Sequence, residues 1–433
     1  MAEPELDRQP LLADALRAIG RRIGTPVAVT DQATLAASAD ELAAAFPDPI
    51  LRLYSIKAND VPAIVARLGR LGLGASAVSL GEWSIARRAG IPNARIGLEG
   101  IGKTPADLRA VVRAAAAGDP LLWTSIESAD EAAALAGLTR ASVRRGGPRL
   151  DVLLRYNPAV EPETLPGLAV GAGTSKFGLA DDELAAAIDA GGGAEGPLRW
   201  RGVHLHVGSQ LGAVDAWRDG VRRALAIVGL LGGSLAEFDT LDVGGGFPVF
   251  SIGQPAPGPE RFARELRLLV DDLPADRRPA RLAVEPGRFL VARAGVLVAR
   301  VLHVRQRAGP MIVLDAGMTE LIRPALYGAR HDVLALTSGR RPWDPGPPGQ
   351  PGSTAALQPT AVEGPVCEST DSFGSHLLPP LVRGDLVAIR DAGAYGASLG
   401  SNYNGRPRPP QVLVEPDGSW TLARPRGRRT IVR

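Results

Sequence analysis

A single cysteine in 433 residues excludes an intramolecular disulfide framework and suits a reducing compartment. Charge of one sign is missing as well. The formal net charge is +3, and the arginines are dispersed along the chain, so nucleic-acid binding has no electrostatic footprint. The opening residues, Met1 to Asp7, are acidic and carry no apolar signal core. Arginine or glycine interrupts every apolar run before it reaches the length of a membrane span. No internal repeat of fixed period is present. These absences give the expectation of a soluble cytoplasmic protein without membrane or nucleic-acid partners. What remains is ample apolar material, 45% of the residues, in a chain long enough for two domains.

From about residue 50 to 290, short apolar runs alternate with helical stretches rich in alanine, leucine and arginine. Strands are predicted at 51–56, 75–79, 95–98, 121–126, 151–156, 201–207, 239–244 and 281–285. Helix-like segments such as Asp182 to Ala190 and Pro259 to Asp272 separate them. Eight such units predict an α/β fold, a closed (β/α)8 barrel spanning 31–290. Beyond residue 290 the runs Val296–Leu302, Met311–Leu314 and Asp385–Arg390 are strand-like with few helices between. They predict a mainly antiparallel β-domain over 291–433, with a flexible Pro/Gly-rich insertion at 339–353. The N-terminal segment 1–30 contains Pro26 to Thr30, a strand-like piece expected to pair with that β-domain.

Barrel active sites gather at the C-terminal ends of the strands, and the chemically informative residues fall there. The first strand runs into Tyr54-Ser55-Ile56-Lys57-Ala58-Asn59, which puts a partly desolvated amine at the mouth, a candidate nucleophile or Schiff-base partner. The sixth ends in His204-Leu205-His206-Val207-Gly208-Ser209-Gln210. Alternation sets both imidazoles on one face, where one can stack on a flat ring, and the Ser209 hydroxyl can bind an anion. The alternatives are two satisfied core histidines or a metal pair, and no carboxylate or cysteine cluster is expected nearby to support a metal. After the seventh strand, Gly244, Gly245 and Gly246 let backbone approach a phosphate and aim several amides at it. The eighth ends in Glu285-Pro286-Gly287-Arg288: a carboxylate for a protonated ring nitrogen and a guanidinium for a phosphate or a substrate carboxylate. The structural alternative for Glu285 is an ion pair with Arg281 or Arg293. An amine, a stacking imidazole, a phosphate cradle and a ring-nitrogen carboxylate together make the set that pyridoxal phosphate requires. Two further clusters lie in the β-domain, Cys367-Glu368-Ser369 and Asp391 to Tyr395, with Tyr403-Asn404 beyond.

With these motifs the chain resembles the fold-type III pyridoxal-phosphate decarboxylases, the family of ornithine, diaminopimelate and arginine decarboxylases. The resemblance runs from about Gly24 to Val414. Its markers come in family order: Lys57-Ala58-Asn59, Lys176-Phe177-Gly178, His206-Val207-Gly208-Ser209, the glycine triplet, Glu285-Pro286-Gly287-Arg288 and Cys367-Glu368-Ser369. The diaminopimelate branch is the most similar, through Asp315 to Met318, Leu321 to Tyr327, Ser209-Gln210 and Tyr403 to Pro409. The resemblance implies that Lys57 forms the Schiff base, His206 stacks on the ring and Glu285 binds the pyridine nitrogen. Ser209, Gly244 to Gly246, Gly287, Arg288 and Tyr395 would hold the phosphate. Arg288, Arg323, Tyr327, Glu368 and Tyr395 would meet the substrate. It also implies a homodimer with shared sites, in which Cys367 and Glu368 reach the partner's barrel and Cys367 donates a proton to the carbanion.

Several positions depart from the family pattern. Ser76 stands where an acid is common, Phe247-Pro248 is closer to the ornithine branch, and Thr370 replaces a usual glycine. By its resemblance to the diaminopimelate branch, the expected reaction is decarboxylation of meso-diaminopimelate to L-lysine. A related decarboxylase for another amino acid, or for an acylated or carrier-bound one, is the alternative. The Cys367-Glu368 motif disfavours an amino-acid racemase, and the presence of both Lys57 and Cys367 disfavours a non-catalytic cofactor-binding homologue.

Overall fold

Among the described residues nine short strands precede residue 285. β1 (Val27–Asp31) stands apart, and eight follow it: β2 (Leu51–Ser55), β3 (Gly74–Ala77), β4 (Ile96–Leu98), β5 (Trp123–Ile126), β6 (Leu150–Tyr156), β7 (Leu198–Leu205), β8 (Thr240–Asp242) and β9 (Arg281–Val284). In the computed structural model, which describes residues 9–164, 166–249, 256–343 and 357–427, β2 to β9 pair in parallel, each with the next, and β9 closes on β2. The barrel expected from the alternation is thus present, with all eight strands near their predicted positions.

The crossover helices start where their sequences supply caps. Ser79 accepts the Glu82 amide, Ser128 accepts that of Glu131, and Thr104 forms a reciprocal capping box with Asp107. Each such cap contributes about 1 kcal/mol by satisfying amides that a helix start leaves open. Small residues let the strands close. A Cβ at Gly74 would lie 2.5 Å from the Arg95 carbonyl oxygen and 2.6 Å from Leu53 Cδ2, so any side chain there would push β3 off its neighbours. Leu53, Trp123, Leu153 and Ala283 form an apolar cluster inside the barrel. The buried polar residues Glu99, His204, Asp242 and Glu285 lie at or just beyond the C-terminal ends of their strands. The interior thus changes from apolar packing to ionisable groups along its axis.

A second compact unit takes the described residues before Ala39 and after Phe289. Its nine-stranded sheet contains β10 (Gly295–Gln306), β11 (Pro310–Leu314), β12 (Val333–Ala335), β15 (Gln358–Glu363), β16 (Ser372–Leu378), β17 (Leu386–Ile389), β18 (Gln411–Val414) and β19 (Trp420–Arg424). The ninth member is β1, in the order β16-β15-β11-β10-β1-β18-β19, with β17 pairing both β10 and β12. Pairing is antiparallel except for β1 with β18 and β11 with β15. A helix, Gln9–Arg22, packs Ala15, Leu16 and Ile19 against Val27, Val298 and Leu386. β13 (Thr337–Ser338) and β14 (Arg341–Pro342) form a separate pair. Residues 344–353 of the expected insertion lie outside the described residues. No helix among the described residues is long and apolar enough to cross a membrane.

Candidate active site

Lys57 sits on a single 3-10 turn, Ile56–Ala58, directly after β2. The turn is clamped from two sides. Tyr54 donates its hydroxyl to the Asn59 carbonyl at 2.9 Å, and the Asn59 side chain accepts the Val61 amide at 3.1 Å. Across the barrel seam, the Ser55 amide donates to the Pro286 carbonyl at 3.0 Å, and a Cβ at Gly287 would lie 3.2 Å from Ala58 Cβ. The Glu285-Pro286-Gly287 turn therefore lies against the lysine turn, as a shared site requires. Lys57 is half-buried and has neither a hydrogen bond nor an ion pair among the described residues.

His206 follows β7, and its Nδ1 accepts the Gly245 amide at 3.2 Å. Burial first, then the positive charges of Lys57 and Arg155, hold its pKa well below the ordinary value. The ring is consequently neutral, with its proton on Nε2. Ser209 Oγ lies 3.0 Å from Arg288 Nη2 and 3.3 Å from Arg288 Nε, so the hydroxyl and guanidinium predicted to take a phosphate stand together. Arg288 is buried.

The glycine triplet works differently from the expectation. The Gly244 amide is held by Asp242 Oδ1 at 2.9 Å and the Gly245 amide by His206 Nδ1. These two glycines lock strand ends and the imidazole instead of offering free donors. Close approach still requires them, since a Cβ at Gly245 would lie 2.3 Å from the Glu285 carbonyl oxygen.

Glu285 has neither Arg281 nor Arg293 as its partner. Its Oε2 meets His204 Nε2 at 3.2 Å, and its buried Oε1 has no hydrogen-bond partner among the described residues. Burial would raise its pKa, but His204, Lys57 and the nearby Ser76 hydroxyl together bring it down to about 2. His204 Nδ1 lies 3.3 Å from Glu99 Oε2, close enough for charge attraction but off the hydrogen-bond direction. Burial opposes its charge, yet Glu99, Glu285 and Asp242 outweigh it and raise the His204 pKa to about 9. Asp242, buried beside these acids, is pushed well above the carboxylate range. The expectation that no carboxylates gather near the histidines is therefore corrected. They arrive from β4 and β9, far away in sequence, and the donor atoms of Glu99, His204 and Glu285 lie within 4.8 Å of one another. The two ring nitrogens each face a different carboxylate, which is the arrangement of a bridging imidazolium.

The Lys176-Phe177-Gly178 segment docks on a buried ion pair: the Gly178 amide donates to Glu127 Oε2 at 3.0 Å, and Arg155, paired with Glu127, lies 4.9 Å over the Phe177 ring.

The remaining predicted residues belong to the second unit. Arg323, on the short helix Arg323–Tyr327, is buried and donates Nη1 to His331 Nε2 at 2.8 Å, while His331 Nδ1 donates to the Arg390 carbonyl at 2.9 Å. Tyr327 is half-buried, and Tyr395 has a left-handed backbone with φ 60°. Cys367 is exposed, with Asn404 Nδ2 at 3.4 Å from its Sγ, and Glu368 Oε1 accepts the Tyr403 hydroxyl at 2.7 Å. Asp371 anchors this loop by accepting the Val366 and Met318 amides. Sequence reasoning missed Glu99, Trp123, Asp242, Arg155, Glu127 and His331. For the acids a signal existed, since Glu99, Glu127 and Asp242 all end or follow barrel strands.

The donor set suits pyridoxal phosphate: an unengaged amine, a neutral imidazole, a Ser–Arg pair for a phosphate, and a buried carboxylate oxygen with no hydrogen-bond partner among the described residues. The fold and this set define a cofactor-dependent enzyme on a barrel with an added β-unit. Residues 32–292 match the pyridoxal-binding domain of the pyridoxal-dependent decarboxylases. The chain belongs to that family, and it is a pyridoxal-phosphate-dependent carboxy-lyase acting on an amino acid. It is 36% identical over 412 residues to a diaminopimelate decarboxylase of Pseudomonas aeruginosa (94% of this chain, 91% of that one). To that of Aquifex aeolicus it is 31% identical over 415 residues (95% and 91%). Among solved structures, the diaminopimelate decarboxylase of Helicobacter pylori complexed with L-lysine superposes with a TM-score of 0.83 at 28% identity, covering 95% of this chain and 96% of that one.

Proposed function

We propose that this enzyme decarboxylates meso-diaminopimelate to L-lysine. The observation that carries the reading is its likeness, along more than nine-tenths of both chains, to relatives named diaminopimelate decarboxylase. Two solved diaminopimelate decarboxylases, from Helicobacter pylori and m. jannaschii, are complexes with L-lysine, the product of that reaction.

In this reading Lys57 Nζ is the amine that binds the cofactor's aldehyde, and Ser209 Oγ with Arg288 binds its phosphate, helped by Gly246, Gly287 and Tyr395. His206 offers a neutral, flat ring for stacking, fixed in rotation by the Gly245 amide. Glu285 Oε1 accepts the proton-bearing ring nitrogen. The bound cofactor supplies an electron sink for the pair left behind when carbon dioxide departs. Arg323, set by His331, binds a substrate carboxylate, with Arg288, Tyr327 and Tyr395 beside the substrate. Glu368 meets the distal ammonium, because a zwitterionic far end needs one charge of each sign. Cys367 Sγ, supplied by a second copy of the chain, returns a proton to the carbanion. The dimer is thus part of the proposal.

Carbon dioxide release should be measured on cofactor-loaded enzyme with meso-diaminopimelate, L-lysine, ornithine, arginine and glutamate. Release from meso-diaminopimelate alone supports the proposal. Turnover of another amino acid in its place would overturn it.

A further inference from the structure

Behind Glu285 the barrel holds a row of groups that the proposed roles leave unused. Trp123 Nε1 donates to Glu99 Oε1 at 3.0 Å, Glu99 Oε2 faces His204 Nδ1 at 3.3 Å, and His204 Nε2 meets Glu285 Oε2 at 3.2 Å. All four side chains are buried. The row is built closely: a Cβ at Gly97 would lie 2.9 Å from Trp123 Nε1 and 3.0 Å from Glu99 Oε1, so only glycine leaves the indole and the acid in place. We infer that His204 is a positioning residue: held from behind by Glu99 and Trp123, it fixes the Glu285 carboxylate by its Oε2 and leaves Oε1 as the acceptor for the cofactor's ring N–H. This rests on the reading that Glu285 faces the ring nitrogen.

The physical reason is charge balance in a dry place. Two carboxylates and one imidazolium leave one buried negative charge, which a protonated ring nitrogen cancels. The high pKa of His204 and the low pKa of Glu285 agree with that assignment. Without the imidazolium, Glu285 would stand buried beside Glu99 and Asp242 with no cation bonded to it. Burial and like charge would then favour its neutral acid. A neutral Glu285 would donate a hydrogen bond to the ring nitrogen in place of accepting one, so the nitrogen would carry no proton of its own and the ring would lose its pull on electrons.

The test is the 15N chemical shift of ring-labelled pyridoxal phosphate in the reconstituted holoenzyme, read for wild type, Glu285→Gln, His204→Gln and Glu99→Gln. The expected result is a protonated nitrogen in wild type, with movement toward the unprotonated position in His204→Gln and a smaller movement the same way in Glu99→Gln. kcat should fall about 10- to 100-fold in His204→Gln, the usual effect of removing an outer partner of a functional group, while KM for the amino acid changes little. A folded, cofactor-loaded His204→Gln with the wild-type shift would overturn the inference and leave Glu285 in its role. An unchanged shift in Glu285→Gln would instead sink the underlying reading. Should His204→Gln fail to fold, Glu99→Gln carries the same test, because it removes the charge behind the imidazole and an unmoved signal would overturn the inference.

Discussion

Arg323 reaches a histidine before it reaches any substrate. His331 accepts from it through Nε2 only while neutral, because its Nδ1 proton is already donated to the Arg390 carbonyl. Removing that acceptor leaves a buried guanidinium short of a bond, at about 1–3 kcal/mol. His331→Phe should therefore raise KM for the amino acid about tenfold or more with a smaller change in kcat, and His331→Gln, which retains an acceptor, should recover most of it. Steady-state kinetics on both variants decides this, and an unchanged KM in His331→Phe would remove the histidine from the argument. His204 makes a pH prediction. Its pKa is raised to about 9 in the folded protein against an ordinary value near 6.5, so its contribution to stability is complete below about pH 6.5 and fades as pH rises through 9. The stability gap between wild type and His204→Gln, up to about 3 kcal/mol, should be wide at pH 6 and narrow at pH 10 by chemical denaturation. At this scale, Lys57, His206 and Glu285 announced themselves as candidates by their neighbours in local motifs. Glu99 and Trp123 did not, because their partner His204 lies on another strand.

At the scale of the element, strand positions were readable from short apolar runs, and β2 to β9 fall close to where those runs predict them. Register within them was not. β6 and β7 slip between Val152 and Leu153, which face Trp200 and Gly202 and leave Arg201 as an extra residue. Both strands are buried almost throughout, so no polar alternation marks the slip in sequence. Gly202 makes it possible, since a Cβ there would lie 1.8 Å from the Thr240 carbonyl oxygen. Gly202→Ala should destabilise the protein by about 3 kcal/mol, the upper end for overpacking. It should also weaken cofactor retention, because β7 and β8 carry His204, lead into His206 and end at Asp242. A denaturant titration and dialysis against cofactor-free buffer test the two effects, and a variant as stable as wild type would contradict the steric account.

Taken whole, the molecule has two compact units. The barrel unit was legible from the spacing of its runs. The expectation of a partner copy rests on resemblance alone, because nothing in one chain's composition reveals a neighbour. Mixing Lys57→Ala and Cys367→Ala subunits tests sharing directly. Random pairing makes half the dimers mixed, and each mixed dimer has one intact site of two, so about a quarter of wild-type activity should return. No recovery would place the thiol and the lysine of each site in the same chain. The path of the backbone has a further consequence. β1 lies between β10 and β18, with Val27 opposite Val298 and Ala28 opposite Gln411, so a strand made before the barrel waits for strands translated after all of it. During synthesis its edges stay open while the barrel forms, and the last steps of folding are the sealing of that sheet. Pairings so distant along the chain are slow to close. Newly made chains should therefore pass through a stage with a finished barrel and an unfinished sheet, and it is then that they are most open to aggregation at the edges of β1.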